Sequence, residues 1–117
     1  LSCTQVKVFN DRIFFMTKHV QVFDQVTQQK IDSLCKIYGV ANLWLFGSYA
    51  RGDQGKNSDY DFLYIMDHKN YALDLFNFAD ELEKLLGSDV DVVAYKYMKP
   101  YFKEQVEKEM VSVYDAA

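Results

Sequence analysis

Proline occurs once, at position 100, and glycine five times in 117 residues. That scarcity leaves no room for a flexible linker or a low-complexity arm, and the length is that of one globular domain. Cysteine stands only at positions 3 and 35. Cys3 and Cys35 match no metal-ligand spacing and are too few for a disulfide scaffold, which fits a reducing, cytoplasmic interior. Long hydrophobic runs are missing as well. The longest near-continuous one, around Ile13-Phe14-Phe15-Met16, is far too short to span a bilayer, and no secretory cleavage site follows it. Positive charge is in deficit: 13 Lys and Arg stand against 17 Asp and Glu, a net charge of −4. A domain that grips long nucleic acid by charge carries a basic stripe, so that class is disfavoured. Aromatics, by contrast, are plentiful, with nine Phe, nine Tyr and one Trp, and half of all residues are apolar. A packed core is expected.

Residues 1–15 show no clear period. They read either as a leader upstream of a natural start at Met16 or as an added strand through Val6 and Val8, with residues 16–117 as the single domain. From about Val20 the spacing turns helical: Phe23, Val26, Ile31, Leu34, Cys35 and Tyr38 form a stripe that Gly39 closes. Val40 to Phe46 is an apolar run stopped by Gly47-Ser48, the pattern of a buried strand. Gly52 to Ser58 is loop by composition, and Asp59 to Met66 alternates as a strand. Tyr71 to Leu86 predicts a helix closed by Gly87, and Val90 to Ala94 a short, central strand. A last helix is expected from Pro100 to about Val113, with Phe102, Val106, Met110 and Val113 on one side. Three strands and interleaved helices make an α/β (α+β) fold, a small mixed sheet with helices packed on one side.

The chemistry-bearing segment is Leu45 to Met66, LFGSYARGDQGKNSDYDFLYIM. A glycine at the end of a strand lets a phosphate approach the backbone, and the freed N–H groups that follow, with the Ser48 hydroxyl, can hold anionic oxygens. Asp59 and Asp61 are two residues apart on a strand, so both carboxylates project from one face. Two such charges repel unless a cation lies between them, and Mg²⁺ takes oxygen ligands and pairs with phosphates. Asp91, among Val90, Val92 and Val93, is an odd core residue unless its charge is used. Pairing of its strand beside Asp59–Asp61 would bring three carboxylates to one face. Asp89 has the same parity but follows Gly87-Ser88 in a turn, which favours Asp91. Other phosphate and metal motifs fail: Asp53-Gln54 stands where a Walker loop needs Lys-Ser/Thr, and Tyr64 stands where an EF-hand needs its Glu. His19 and His68 have no partner spacing. Tyr95, Tyr97, Tyr101, Phe102 and Tyr114 read first as core, with room left for a partner surface.

Gly47-Ser48, ten intervening residues and Asp59-Tyr60-Asp61, with Arg51-Gly52 inside and Leu86-Gly87-x-x-Val90-Asp91-Val92-Val93 after it, resemble the minimal nucleotidyltransferases (MNT) of the DNA polymerase β-like superfamily. The resemblance covers about Ile31 to Tyr114. It implies a sheet flanked by helices, two Mg²⁺ ions and ATP as nucleotide donor. By position it implies that Gly47 and Ser48 hold the triphosphate with support from Arg51, that Asp59 and Asp61 bridge the metals, and that Asp91 ligates the catalytic metal and helps deprotonate the acceptor. It further implies an antitoxin that transfers AMP to a tyrosine of a helical HEPN-type ribonuclease toxin carrying an Arg-x4-His motif. The rival reading is a non-catalytic module that neutralises its partner by occlusion. Transfer to a small molecule is weaker, because no second domain is present to hold the acceptor.

Overall fold

The computed structural model describes residues 22–67 and 74–116, and the backbone of residues 5–9 and 12–16. Cys3, His19, His68 and the expected start of the third helix at Tyr71 lie outside the described residues. Strands β1 (Gln5–Phe9) and β2 (Arg12–Met16) pair antiparallel as a two-stranded ribbon of their own, with Val6 opposite Phe15 and Val8 opposite Ile13. Helix α1 (Gln25–Tyr38) begins where the Asp24 carboxylate accepts the Thr27 N–H at 2.7 Å, which satisfies one of the free donors of the first turn. That bond also lowers the Asp24 pKa. Gly39 closes the helix as expected, with its N–H on the Cys35 carbonyl. Ile31 and Cys35 are buried, whereas Val26 is 62% exposed. Val26 precedes Ile31 by five residues, which turns it about 140° away around the helix, off the buried face. Burial pushes the Cys35 thiol up to about 12, so it is a core residue and not a nucleophile.

The main sheet has four strands: β3 (Val40–Phe46), β4 (Tyr60–Met66), β5 (Val90–Ala94) and β6 (Val111–Asp115), in the order β5-β4-β3-β6. β3 is antiparallel to β4 and β6, while β4 and β5 run parallel. Between β3 and β4 lies the single-turn helix α2 (Ser48–Arg51). Helix α3 (Leu75–Leu86) crosses from β4 to β5, as a parallel pair requires. Its Asp74 cap accepts the Asn77 N–H at 3.1 Å.

Alternation along the strands divides the core in two. Leu43, Leu45, Phe62 and Val90 pack with Ile31 and Cys35 of α1 and with Phe78 and Leu82 of α3. Trp44, Phe46 and Leu63 face the other way, against Met98, Met110 and Val106 of helix α4 (Pro100–Glu109). The expected mixed sheet is present, but its helices do not pack on one side only: α1 and α3 cover one face and α4 the other, because Trp44, Phe46 and Leu63 leave that second face apolar as well.

Two further expectations change. The last helix does not run to Val113: it stops at Glu109, Met110 turns extended (φ −65°, ψ 144°), and Val111–Asp115 becomes the edge strand β6. Val-Ser-Val-Tyr alternates with period two and carries β-branched and aromatic residues, so the strand pattern prevails once β3 offers a free edge. Nor is the Val90 strand central. β5 is the opposite edge, with Val90 buried but Asp91 exposed, so Asp91 is not a core charge.

Phe62 is wholly buried in the central strand β4. Phe62→Ala is expected to lower the unfolding free energy by about 3–5 kcal/mol, read by urea denaturation.

Candidate active site

The topology gathers the marked residues at one end of the sheet. Phe46, the last residue of β3, lies opposite Asp61 near the start of β4, and Asp61 lies opposite Asp91 at the start of β5. Asp61 and Asp91 share the parity of Leu63 and Val93, so both project on the face where α4 packs. Asp59 precedes β4 directly and is exposed, while Asp61 is half-buried. Burial raises the Asp61 pKa, and the charges of Asp91 and Asp59 push it further in the same direction; Arg51 opposes them. The action of both charges on Asp61 is the sign of three carboxylates sharing one region. The Asp89 carbonyl accepts the Tyr60 N–H at 2.9 Å, so that residue is tied into the turn before β5.

Gly47 has φ +76°, a conformation that L side chains rarely adopt, and a Cβ there would run into the Asp61 carboxylate. Glycine thus meets two demands at once: a left-handed turn from β3 into α2, and close approach to the acidic strand. The turn is fixed by Tyr49, whose ring stacks on Tyr60 at 3.9 Å and 9°. Tyr60 lies between Asp59 and Asp61, so this stack ties the Gly47–Arg51 turn directly to the carboxylate pair. Beyond it, residues 52–57 form an exposed loop.

An open cleft of about 670 Å³ lies beside these groups, lined by Gly47, Ser48, Arg51 and Asp61 on one side and by Phe102, Lys108 and Glu109 of α4 on the other. Arg51 donates to Asp53 at 3.1 Å and to the two Glu109 oxygens at 3.3 and 3.0 Å. Glu109 also accepts the Gly47 N–H at 3.1 Å. Glu109 escapes sequence reasoning because it sits among Gln105, Glu107 and Lys108 on an ordinary charged helix, with no local signal to distinguish it. Of the aromatic tail, Tyr95 is buried, Tyr97 and Tyr101 are exposed, and Phe102 stands edge-on to Phe46 at 6.5 Å at the cleft wall.

Among the described residues no three acidic, His or Cys side chains converge into a ready-made metal cage. The donor set is nonetheless all oxygen, which suits Mg²⁺, an ion that takes one or two carboxylates and completes its shell with water and substrate phosphate. The Asp61 pKa is raised first by burial and then by the charges of Asp91 and Asp59, and a cation would relieve that second effect.

Two tests follow from the geometry. Gly47→Ala should cost about 1–3 kcal/mol in urea denaturation, from backbone strain with the collision added. Gly52→Ala, at φ +82° with open space around it, carries the strain alone and should cost less. Asp61→Asn should stabilise the protein at neutral pH. A raised folded pKa means that Asp61 favours folding fully only below its unfolded value of 3.8, and that this contribution is lost as pH rises through the folded pKa. The gain from Asn should therefore fade as pH falls below 3.8, read as the difference between variant and wild type across pH.

The chain is similar to known proteins along most of its length. MJ0435, a candidate protein adenylyltransferase of Methanocaldococcus jannaschii, is 37% identical over 86 residues, which cover 74% of this chain and 92% of that protein. Protein adenylyltransferase MntA of Thermococcus cleftensis is 34% identical over 76 residues, 65% of this chain and 77% of that protein. One chain of a crystallised toxin–antitoxin complex with AMP-PNP has the same fold, with a TM-score of 0.63 at 27% identity, covering 75% of this chain and 73% of that one. The nucleotidyltransferase domain model matches residues 28–113, and with a glycine turn and three aspartates brought to one end of its sheet, this chain belongs to that family.

Proposed function

We propose that this protein is a Mg²⁺-dependent protein adenylyltransferase, transferring AMP from ATP to a tyrosine hydroxyl of a helical HEPN-type toxin and acting as its antitoxin in the cytoplasm. The observation that carries this reading is the meeting of the Gly47 turn with Asp59, Asp61 and Asp91 at one sheet end. The similarity to proteins named as adenylyltransferases, and to a toxin–antitoxin chain crystallised with a nucleotide analogue, supports the donor and the partner class. Among the described residues no helix is long and apolar enough to cross a membrane.

Each residue has a limited task. The Gly47 backbone, the Ser48 hydroxyl and Arg51 hold the triphosphate. Asp59, Asp61 and Asp91 would hold the metal, which when bound supplies charge neutralisation and lowers the pKa of the acceptor hydroxyl. Asp91 receives the hydroxyl proton as the acceptor oxygen bonds to the α-phosphorus. The bond to the bridging oxygen breaks in line, and pyrophosphate leaves. Catalysis of this kind is mostly positioning and electrostatics, so a domain this small suffices. Exposed Tyr101, the residue before the cleft-lining Phe102, offers aromatic surface for the acceptor protein.

One observation favours the rival reading, a binder that neutralises its partner by occlusion: the Gly47 and Arg51 donors are held by Glu109. Mass spectrometry of the partner after incubation with ATP and Mg²⁺ separates the two. Wild type is expected to add AMP, and Asp91→Asn to slow transfer by about a hundredfold or more while retaining ATP binding. If wild type and Asp91→Asn protect cells equally without modifying the partner, the binder stands and the enzyme falls.

A further inference from the structure

Glu109 sits where the nucleotide reading needs an anion. The same carboxylate accepts the Gly47 N–H at 3.1 Å and faces the Arg51 guanidinium with both oxygens, at 3.0 and 3.3 Å. Both oxygens lie on the one guanidinium nitrogen Nη1, and a carboxylate and a terminal phosphate offer such a donor the same thing, anionic oxygens. We propose that Glu109 is an internal stand-in for the triphosphate, holding Gly47 and Arg51 in the nucleotide-free protein and leaving them when the nucleotide enters. This inference rests on the nucleotide reading of the site.

Three observations favour a displaceable group over a structural strut. The Arg51–Glu109 pair is open to solvent, with side chains 47% and 24% exposed, and such pairs contribute little to stability. Glu109 adds a fourth negative charge to a region that already holds three, and it lines the same cleft as Asp61. A residue selected only to brace α4 would not need a charge that repels its neighbours. Finally, Arg51 keeps Asp53 as a second partner at 3.1 Å, so release of Glu109 leaves the guanidinium oriented near the turn.

The consequence is selectivity by exchange. A ligand must bring more negative charge to the Gly47–Arg51 donors than one carboxylate does, together with a cation that tolerates the aspartates. A Mg²⁺-bound triphosphate meets both conditions. The swing of Glu109 is then felt at the last turn of α4, the helix that also carries Phe102 on the cleft wall.

The test is calorimetry on the full chain, with ATP and with inorganic tripolyphosphate as probes, both in excess Mg²⁺. Glu109→Gln keeps the shape and an acceptor for the Gly47 N–H but removes the charge. Both probes are expected to bind this variant more tightly than wild type, on the order of tenfold. A strut would give the opposite sign, because loss of its charge would loosen the turn. Unchanged or weaker binding by Glu109→Gln, with wild type binding ATP normally, overturns the stand-in and leaves the nucleotide reading intact. Failure of both proteins to bind either probe removes the nucleotide reading and this inference with it. Should Glu109→Gln not fold, the ¹³C resonance of the Glu109 carboxyl in wild type decides: it must move on addition of tripolyphosphate, and a resonance that stays in place overturns the proposal.

Discussion

Strand β4 hydrogen-bonds antiparallel to β3 on one side and parallel to β5 on the other, and the site depends on that double pairing. The antiparallel ladder sets the end of β3 opposite Asp61, so the Gly47 turn opens beside the acidic strand. The parallel ladder sets Asp91 level with Asp61. Both placements are made by backbone hydrogen bonds and by the apolar residues between them, chiefly Phe62 and Leu63, which are wholly buried. The carboxylates contribute nothing to this cohesion and act against it. Their repulsion is tolerated because the ladders and the two clusters hold the strands whatever the charge at their ends.

The glycine turn makes the acidic strand usable. Close approach of Gly47 to Asp61 removes the space a side chain would fill and leaves backbone within reach of whatever the aspartates attract. The Tyr49–Tyr60 stack prevents the turn from drifting, since the ring between the two aspartates is itself the clamp. The glycine turn and the acidic pair are thereby built on one unit, β3–α2–β4, with little need of the remaining chain. The geometry suits phosphoryl chemistry, where orientation and charge neutralisation outweigh covalent help from the protein.

Helix α4 closes the third side. Its Val106 and the Met110 that caps it belong to the second apolar cluster, yet the turn between them delivers Glu109 to the Gly47 and Arg51 donors. Packing and charge are thus coupled in one helix end. The break at Met110 matters for the same reason: chain extension there lets β6 join β3 and pins α4 against the site.

Much of this was legible in the residue order alone. The stripe of Ile31, Leu34, Cys35 and Tyr38 marked α1, the apolar run ending at Gly47 marked β3, and the parity of Asp59 and Asp61 marked one face, because each signal repeats within a few residues. Gly47-Ser48 with Asp59-x-Asp61 and Asp91 carried the family resemblance for the same local reason. The fate of Val111–Asp115 was not legible, since a short apolar segment takes strand or helix according to the partner it finds, and here β3 had an open edge. Nor was the place of β5 at the sheet's rim, which leaves Asp91 exposed. Glu109 lies 62 residues from Gly47, and nothing in its neighbourhood marks it; only the docking of α4 beneath the sheet brings its carboxylate to the turn. Local periodicity and spacing determined the elements and the acidic pair, whereas strand order and the meeting of α4 with the glycine turn, which depend on contacts distant along the chain, were decided by tertiary structure.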